Sequence, residues 1–253
     1  MRSVELFTGA GGLGMGLALA AFRPEAVVEW DRWACDTIRE NQERGFPLVA
    51  DWPLYAGDVR EFDYASLTEK IDLVAGGPPC QPFSICGKHV AHADERDMFP
   101  ATVDALRKLR PRAFIVENVR GLTRSAFANY FQYVLLQFEF PEITRRLEEP
   151  WLDHLSRLQR RKTSGRRDGL AYNVVSTLVN AADYGVPQKR ERVFIVGFRD
   201  DLGVKWSFPR PTHSFNALII DQWAFVERAA SIFLREDHAG TAAGGNGLAD
   251  VDR

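Results

Sequence analysis

The sequence predicts a doubly wound α/β domain with a mostly parallel sheet, extending from residue 1 to about residue 210. Short apolar runs of strand length alternate with stretches of helical spacing, which indicates a parallel sheet with helices on both faces. A glycine-rich turn follows the first apolar run and opens the first helical stretch, as in nucleoside-binding folds of this class. At 253 residues the chain is long enough to bury a core without disulfide bonds.

The first part of the chain supplies three predicted strands and two predicted helices. A short buried strand is expected at 3–7 and a helix at 12–22. A second strand at 26–30 leads into a helical stretch at 31–42. The apolar run IDLVAGG at 71–77 predicts the next strand, because it is short and bounded by turn-forming residues.

The second part continues the alternation with a helix at 99–109 and a strand at 112–119. Residues 172–186 and 192–198 predict two further strands around a turn. The polar, glycine-rich tail from about residue 235 has no periodicity and is expected to be disordered.

Residues 141–170 stand apart from this alternation and predict a helix that ends in a basic loop. Two interpretations are open, a solvated surface insertion or a contact with phosphate groups. The basic side chains in this segment are Arg145, Arg146, Arg157, Arg160, Arg161, Lys162, Arg166 and Arg167.

Composition limits the classes of function. The formal net charge is −2, so any contact with nucleic acid must come from local basic clusters. The three cysteines, Cys35, Cys80 and Cys86, form no C-x-x-C pair, which argues against disulfides and zinc and fits a reducing cytoplasm. The N-terminus does not resemble a signal peptide, and no apolar run is long enough to predict a membrane span.

The turn FTGAGGLGMG at 7–16 is the first candidate site. Gly9, Gly11 and Gly14 satisfy the pattern G-x-G-x-x-G, whose glycines let the backbone approach a ligand closely. Glu29 ends the second strand about 20 residues later, where a carboxylate can accept from ribose hydroxyls. Asp58 falls where a further strand should end and could accept from an adenine amino group. This pattern alone allows either NAD or S-adenosylmethionine.

The second candidate site is GGPPCQPFS at 76–84, directly after a predicted strand. Ligands of open α/β sheets lie at the carboxyl ends of the strands. The two prolines before Cys80 restrict the backbone, so the loop is expected to hold this one thiol rigidly beside the glycine turn. Cys86 has no such frame and is interpreted as incidental. His89 and His92 have no third partner, so no metal site is expected.

These motifs, together with ENV at 117–119 and QKRERVFIVG at 188–197, resemble the DNA cytosine-5 methyltransferase family in kind and in order, from about residue 4 to residue 213. The resemblance implies a Rossmann-like class I methyltransferase fold and S-adenosylmethionine as cofactor. It implies a catalytic domain at 1–213, with the basic insertion at about 141–170, and a short, partly disordered extension at 214–253. The cofactor-binding residues that it implies are Phe7, Gly9, Gly11, Gly12, Glu29, Trp30, Asp58, Val59 and Pro79.

The resemblance also implies the catalytic residues. Cys80 would add to C6 of cytosine and make C5 nucleophilic, while Glu117 would supply a proton at N3. Arg192 would hold the base carbonyl, and Arg190 would lie near the catalytic loop. Because the two arginines are two residues apart, they would point to the same face if both lie on a strand. The target base would have to be flipped out of double-stranded DNA, and 83–98 resembles the family loop that closes over it. No residue is identified as the base that removes the C5 proton.

The family pattern normally continues with a target-recognition region and a GN-x-VP motif that completes the cofactor pocket. About 40 residues follow residue 213, and GGNGLAD at 244–250 lacks the VP. Three explanations are open: a split enzyme with a second polypeptide, a shortened form of a longer enzyme, or an inactive remnant. The first would suit a restriction-modification system.

Three rival functions remain. A tRNA cytosine-5 methyltransferase shares the chemistry and the motifs. An NAD-dependent dehydrogenase accounts for the glycine turn but leaves GGPPCQPFS and ENV unexplained. A non-catalytic DNA-binding partner fits the missing motifs, but Cys80 and Glu117 are retained.

Overall fold

The computed structural model describes residues 1–79 and 97–214, and five isolated positions beyond them, 219, 220, 223, 224 and 227. The predictions made for Cys80, Cys86, most of the loop 83–98 and the tail from residue 235 therefore lie outside the described residues. The chain divides into two units. The first comprises Met1–Val179 and Glu191–Phe208, and the second comprises Asn180–Arg190 with Pro209 and the residues after it.

A seven-stranded sheet with the order β3-β2-β1-β4-β5-β7-β6 organises the fold. The pairs of neighbouring strands from β3 to β5 are parallel, and β5 pairs antiparallel with β7. The predicted α/β fold with a mostly parallel sheet is therefore confirmed. The strands are β1 (Arg2–Leu6), β2 (Arg23–Glu29), β3 (Leu54–Ala56), β4 (Leu73–Gly76), β5 (Ala113–Val119), β6 (Tyr172–Asn180) and β7 (Glu191–Arg199).

Five α-helices accompany the sheet in the described residues: α1 (Gly12–Leu19), α2 (Arg32–Glu43), α3 (Phe99–Leu109), α4 (Ala128–Glu139) and α5 (Trp151–Thr163). Asp31 caps α2 by accepting from the amide of Ala34 at 2.9 Å. The core on one side of the sheet is rich in aromatic rings, among them Phe99, Phe114, Phe138 and Tyr172. Every helix described is too short or too polar to cross a membrane.

Several predicted boundaries are corrected. The helix predicted at 12–22 ends at Leu19, because the chain turns through Ala21 in the left-handed region, at φ 63°. The strand predicted at 172–186 ends at Asn180, whose side chain accepts from the amide of Ala182 and starts a short 3-10 turn. β7 begins at Glu191, so Arg190 precedes the strand.

The topology places a candidate site at one edge of the sheet. The strand order reverses between β1 and β4, which are parallel neighbours with connections leading to opposite sides. Ligands of doubly wound sheets bind at the carboxyl ends of the strands at such a point. The glycine turn follows β1, and the Gly77–Pro79 loop follows β4, so both candidate loops leave the sheet at this point.

Candidate active site

A cavity of about 460 Å³ opens beside the carboxyl ends of β1, β2 and β4. Seven of the nine residues expected to bind the cofactor line it: Phe7, Gly9, Glu29, Trp30, Asp58, Val59 and Pro79. Gly11 and Gly12 are not among the lining residues. Val28, Asp31, Gly57, Arg60, Gly77 and Met98, which the sequence did not single out for this site, also line the cavity.

The glycine turn takes a backbone conformation that requires glycine. Gly9 and Gly11 have φ angles of 58° and 95°, in the left-handed region that other residues rarely adopt. Gly11 is the N-cap of α1 and has no side chain to satisfy the first helical amides. The amide of Gly9 donates to the carboxylate of Glu29, so a residue outside the turn helps to hold it.

Glu29, at the end of β2, organises the loops around the cavity. Its Oε2 accepts from the amide of Gly9 at 2.7 Å, and its Oε1 accepts from the amides of Trp30 and Asp31 at 2.9 and 2.7 Å. One carboxylate therefore ties the glycine turn to the start of α2. Since each carboxylate oxygen offers about two acceptor sites, Oε2 retains capacity for a further donor such as a ribose hydroxyl.

Asp58 is held by its neighbour Arg60. The guanidinium of Arg60 contacts both carboxylate oxygens, with Nε at 3.0 Å from each, and the Arg60 amide donates to Oδ1 at 2.8 Å. The hydrogen bonds from Arg60 lower the pKa of Asp58. Asp58 is therefore a fixed, ionised acceptor on the cavity wall, as an interaction with an amino group would need.

The Gly77–Pro79 loop, which leads into Cys80, lies against the end of β5. The buried side chain of Asn118 donates from Nδ2 to the carbonyl of Pro78 at 3.0 Å. A Cβ placed on Gly77 would lie 3.5 Å from Oε2 of Glu117. The structure thus brings Glu117 next to this loop, and it adds Asn118, to which the sequence assigned no role. The only signal in the sequence for Asn118 was its position in the ENV motif.

Glu117 and Arg192 form a cross-strand ion pair, with Nε of Arg192 at 2.9 Å from Oε1 of Glu117. β5 and β7 are antiparallel there, and Val119 is paired with Arg192. Both side chains keep about a quarter of their surface exposed. The two residues predicted to act on the base therefore lie together at the same end of the sheet.

Arg190 does not share this geometry. It lies in the second unit, where its amide donates to Oδ1 of Asn180 at 3.1 Å and its carbonyl accepts from the amide of Ala181 at 2.9 Å. Because β7 begins at Glu191, the expectation that Arg190 and Arg192 lie on one strand is wrong.

The basic segment forms the predicted helix, α5, whose residues His154, Leu155 and Leu158 are buried. Four of its eight basic side chains are in ion pairs within the domain. The ion pairs are Arg157–Glu149 at 2.6 Å, Arg161–Asp168 at 2.9 Å, Lys162–Glu139 at 2.7 Å and Arg167–Glu139 at 3.1 Å. This pairing favours the interpretation as a surface insertion, and a contact with phosphate stays a prediction.

No cluster of histidine, cysteine, aspartate or glutamate suited to a metal ion occurs among the residues that the structure describes. Cys35, in α2, is buried and free.

Comparison with known proteins agrees with this architecture. The family model described as C-5 cytosine-specific DNA methylase matches residues 1–141 and 161–228. The type II methyltransferase M.AquIA of Picosynechococcus sp. is 34% identical over 222 residues, which cover 84% of this chain and 77% of that protein. M.NgoMIV of Neisseria gonorrhoeae is 34% identical over 209 residues, covering 83% of this chain and 55% of that protein.

Solved structures share the fold. A protein from Escherichia coli, described as a DNA modification methyltransferase encoded within a prophage, superposes with a TM-score of 0.58 at 24% identity. That match covers 85% of this chain and 52% of the other. DNMT2 of Spodoptera frugiperda superposes with a TM-score of 0.51 at 20% identity, over 84% of this chain and 53% of that one.

The matches also delimit what is shared. The chain spans 77% of M.AquIA but only about half of M.NgoMIV and of the prophage protein. The family match is interrupted at 142–160, which contains most of α5 and the turn before it. The first two thirds of the insertion therefore lie outside the region that the family model matches.

Proposed function

Because the chain belongs to the C-5 cytosine-specific DNA methylase family, we propose that it transfers a methyl group from S-adenosylmethionine to C5 of a flipped cytosine in DNA. S-adenosylmethionine is the methyl donor of this family. The observation that carries the proposal is the shared wall of the cavity. Gly77 and Pro79, which lead into Cys80, line the same space as Glu29 and Asp58.

The residues around the cavity suit this cofactor. Glu29 has acceptor capacity for ribose, and Asp58 is an ionised acceptor for the adenine amino group. Trp30 is exposed on the cavity wall and offers an aromatic face to a flat base. When bound, S-adenosylmethionine supplies an electrophilic methyl group, and the side chains of this chain bind and orient it.

The proposed reaction begins at Cys80 and Glu117. The Cys80 thiolate adds to C6 of cytosine while Glu117 donates a proton to N3, which makes C5 an enamine carbon that attacks the methyl group. Transfer of the methyl group would release the cofactor as S-adenosylhomocysteine. Transfer of the C5 proton to a base or to water then expels the Cys80 thiolate, and N3 returns its proton to Glu117, which restores the ring. Arg192, whose Nε lies 2.9 Å from Oε1 of Glu117, would hold the base carbonyl and keep Glu117 oriented.

We also propose that a second polypeptide supplies the target-recognition region and the GN-x-VP motif, as part of a restriction-modification system in a bacterial cytoplasm. The relatives that this chain covers by about half carry further sequence beyond the shared region. A longer form of the same polypeptide would supply it equally well. A tRNA cytosine-5 methyltransferase or a non-catalytic remnant remains the alternative function.

The nucleophile is tested with Cys80→Ser, either in the presence of the second polypeptide that supplies the recognition region or in a longer form of the chain that contains it. A cysteine thiolate is a far better nucleophile than a serine hydroxyl, so we expect methyl transfer to fall by at least about a thousandfold, with cofactor affinity nearly unchanged. DNA and tRNA are assayed in parallel with a tritiated methyl donor, and Cys35→Ser, at a buried cysteine, is the control. Transfer by Cys80→Ser at the wild-type rate would exclude the proposed adduct.

DNA containing 5-fluorocytosine gives an independent test. With fluorine in place of the C5 hydrogen there is no proton to remove, and the Cys80 thiolate is not expelled. The adduct should therefore persist and be visible as a shifted band on a denaturing gel. Trapping on tRNA but not on DNA would favour the alternative substrate, and trapping on neither would favour the inactive remnant.

A further inference from the structure

The underside of the glycine turn rests on the indole ring of Trp52. A Cβ placed on Gly11 would lie 2.8 and 2.9 Å from Cζ3 and Cη2 of Trp52, and one on Gly14 would lie 2.7 Å from Cη2. The carboxylate of Glu5 presses on Gly14 from β1. The six-membered part of the indole therefore fills the space that side chains at these two glycines would occupy.

Trp52 itself is firmly held. Its side chain is buried in a cluster with Val27, Ile38 and Val49, apart from the main aromatic core. Its carbonyl accepts from Nε2 of Gln42 at 2.8 Å, and its amide donates to the carbonyl of Val49 at 3.1 Å. The ring is therefore a rigid support, because both its surroundings and its backbone are fixed.

Backbone hydrogen bonds hold the start of the glycine turn, where the amide of Gly11 donates to the carbonyl of Thr8 at 3.1 Å and the amide of Thr8 donates to the carbonyl of Val28 at 3.4 Å. Gly11 has φ 95° and caps α1 without a side-chain hydrogen bond, while Glu29 holds the turn only through the amide of Gly9. Glycine loses more backbone entropy than any other residue when it is ordered, so a glycine turn needs external contacts to stay in one conformation.

We propose that Trp52 is a positioning residue for the cofactor: by packing under Gly11 and Gly14, it holds the turn in the conformation that binds S-adenosylmethionine. The inference rests on the proposed function, which assigns this cavity to that cofactor. Trp52 does not line the cavity and therefore acts through the turn.

The first test measures the affinity of the purified chain for S-adenosylmethionine by calorimetry. Trp52→Leu removes the ring, and we expect binding about tenfold weaker. Trp52→Phe keeps an aromatic ring that fills only part of this space, so its affinity should lie between those of Trp52→Leu and the wild type. Trp33→Leu is the matched control, because Trp33 is an exposed tryptophan on α2 that does not line the cavity, and its binding should be unchanged.

The second test separates positioning from general loss of stability. Gly11→Ala places a methyl group against the outer ring of Trp52, and phenylalanine is too short to fill that place. The strain of alanine at φ 95° is the same in both backgrounds and cancels in a double-mutant cycle. We therefore expect Gly11→Ala to weaken cofactor binding about threefold less in the Trp52→Phe background than in the wild type.

The outcomes are distinct. Wild-type affinity in a folded Trp52→Leu protein, or additive effects of Gly11→Ala and Trp52→Phe, would overturn the role of Trp52 and leave the proposed function standing. A wild-type chain that binds no S-adenosylmethionine, either alone or with the polypeptide that carries the GN-x-VP motif, would contradict both. If Trp52→Leu does not fold, the double-mutant cycle of Gly11→Ala and Trp52→Phe tests the role of Trp52 by itself.

Discussion

At the scale of single residues, Glu29 has one observed role and one proposed role, and the sequence indicated only the proposed one. Its position at the end of β2 predicted a contact with ribose. The structure shows that its carboxylate already accepts three backbone amides, from Gly9, Trp30 and Asp31. Such contacts follow from how loops meet in space, and no pattern of residue types along the chain encodes them.

Replacing Glu29 should therefore weaken cofactor binding in two ways. In Glu29→Ala the ribose loses a charged acceptor and the glycine turn loses the anchor on Gly9. Charge-assisted hydrogen bonds contribute roughly 1.5–3 kcal/mol, so we expect S-adenosylmethionine to bind about tenfold to a hundredfold more weakly. Calorimetry measures this, with Glu25→Ala as control, because Glu25 lies on the same strand and pairs with Arg2. Unchanged affinity in Glu29→Ala would remove Glu29 from the site.

Glu5 gives a prediction about pH. Burial raises the pKa of Glu5 from 4.5 to about 7 in the folded protein. The fold therefore favours the protonated form, and the folded state holds a proton that the unfolded state has lost between these two values. Stability should fall as pH rises from about 4.5 to about 7, by about 3 kcal/mol from this group, and then level off.

The measurement compares urea unfolding of the wild type and Glu5→Gln from pH 5 to pH 8. Glutamine cannot ionise, so the difference between the two proteins should move in favour of Glu5→Gln as pH rises. A constant difference across this range would mean that Glu5 does not titrate in the folded state as described. Ser3→Ala, which removes the hydrogen bond to Glu5 at 3.4 Å, should preserve the direction of the trend.

At the scale of elements, the sequence predicted those helices and strands whose apolar residues recur at a regular spacing and whose ends carry turn-forming or helix-starting residues. Helix α3 has the predicted bounds, because its apolar spacing is clear and Pro100 lies in its first turn. Helix α4 was not predicted. Its buried residues occupy nearly every face of its second half and include Gln137 and Glu139, so no amphipathic period is visible. Strand β3 has only three residues, too few to show alternation.

The same distinction applies to the candidate site. The loops after β1, β2 and β4 could be placed together because parallel strands end at one edge of the sheet. The contacts of Trp52 with Gly11 and of Asn118 with Pro78 could not, since each joins residues that are 40 or 41 apart in the sequence. The ion pairs of α5 with α4, such as Lys162–Glu139, escaped prediction for the same reason.

At the scale of the whole molecule, cofactor binding and target recognition are separable tasks. Phosphate contacts position a protein on DNA, whereas base-edge contacts specify the site. The described residues include the cavity that we propose for the cofactor, and Glu117 lies beside Gly77 on its wall, yet the basic side chains of α5 are largely paired internally. With a net charge of −2 the chain also offers little general attraction for a polyanion.

We therefore predict that the isolated chain binds S-adenosylmethionine but methylates DNA poorly or not at all, and that a second polypeptide carrying the recognition region and the GN-x-VP motif restores activity. The GN-x-VP motif would pack near the glycine turn within one core, and obligate interfaces of that kind usually bury more than about 2,000 Å². The chain is assayed alone and with the candidate partner on DNA rich in different sites, and the two polypeptides are also tested as one fused chain. Robust, sequence-specific methylation by the 253-residue chain alone would show that no partner is needed. Activity of the fusion but never of the mixed polypeptides would show instead that the missing region belongs to the same chain.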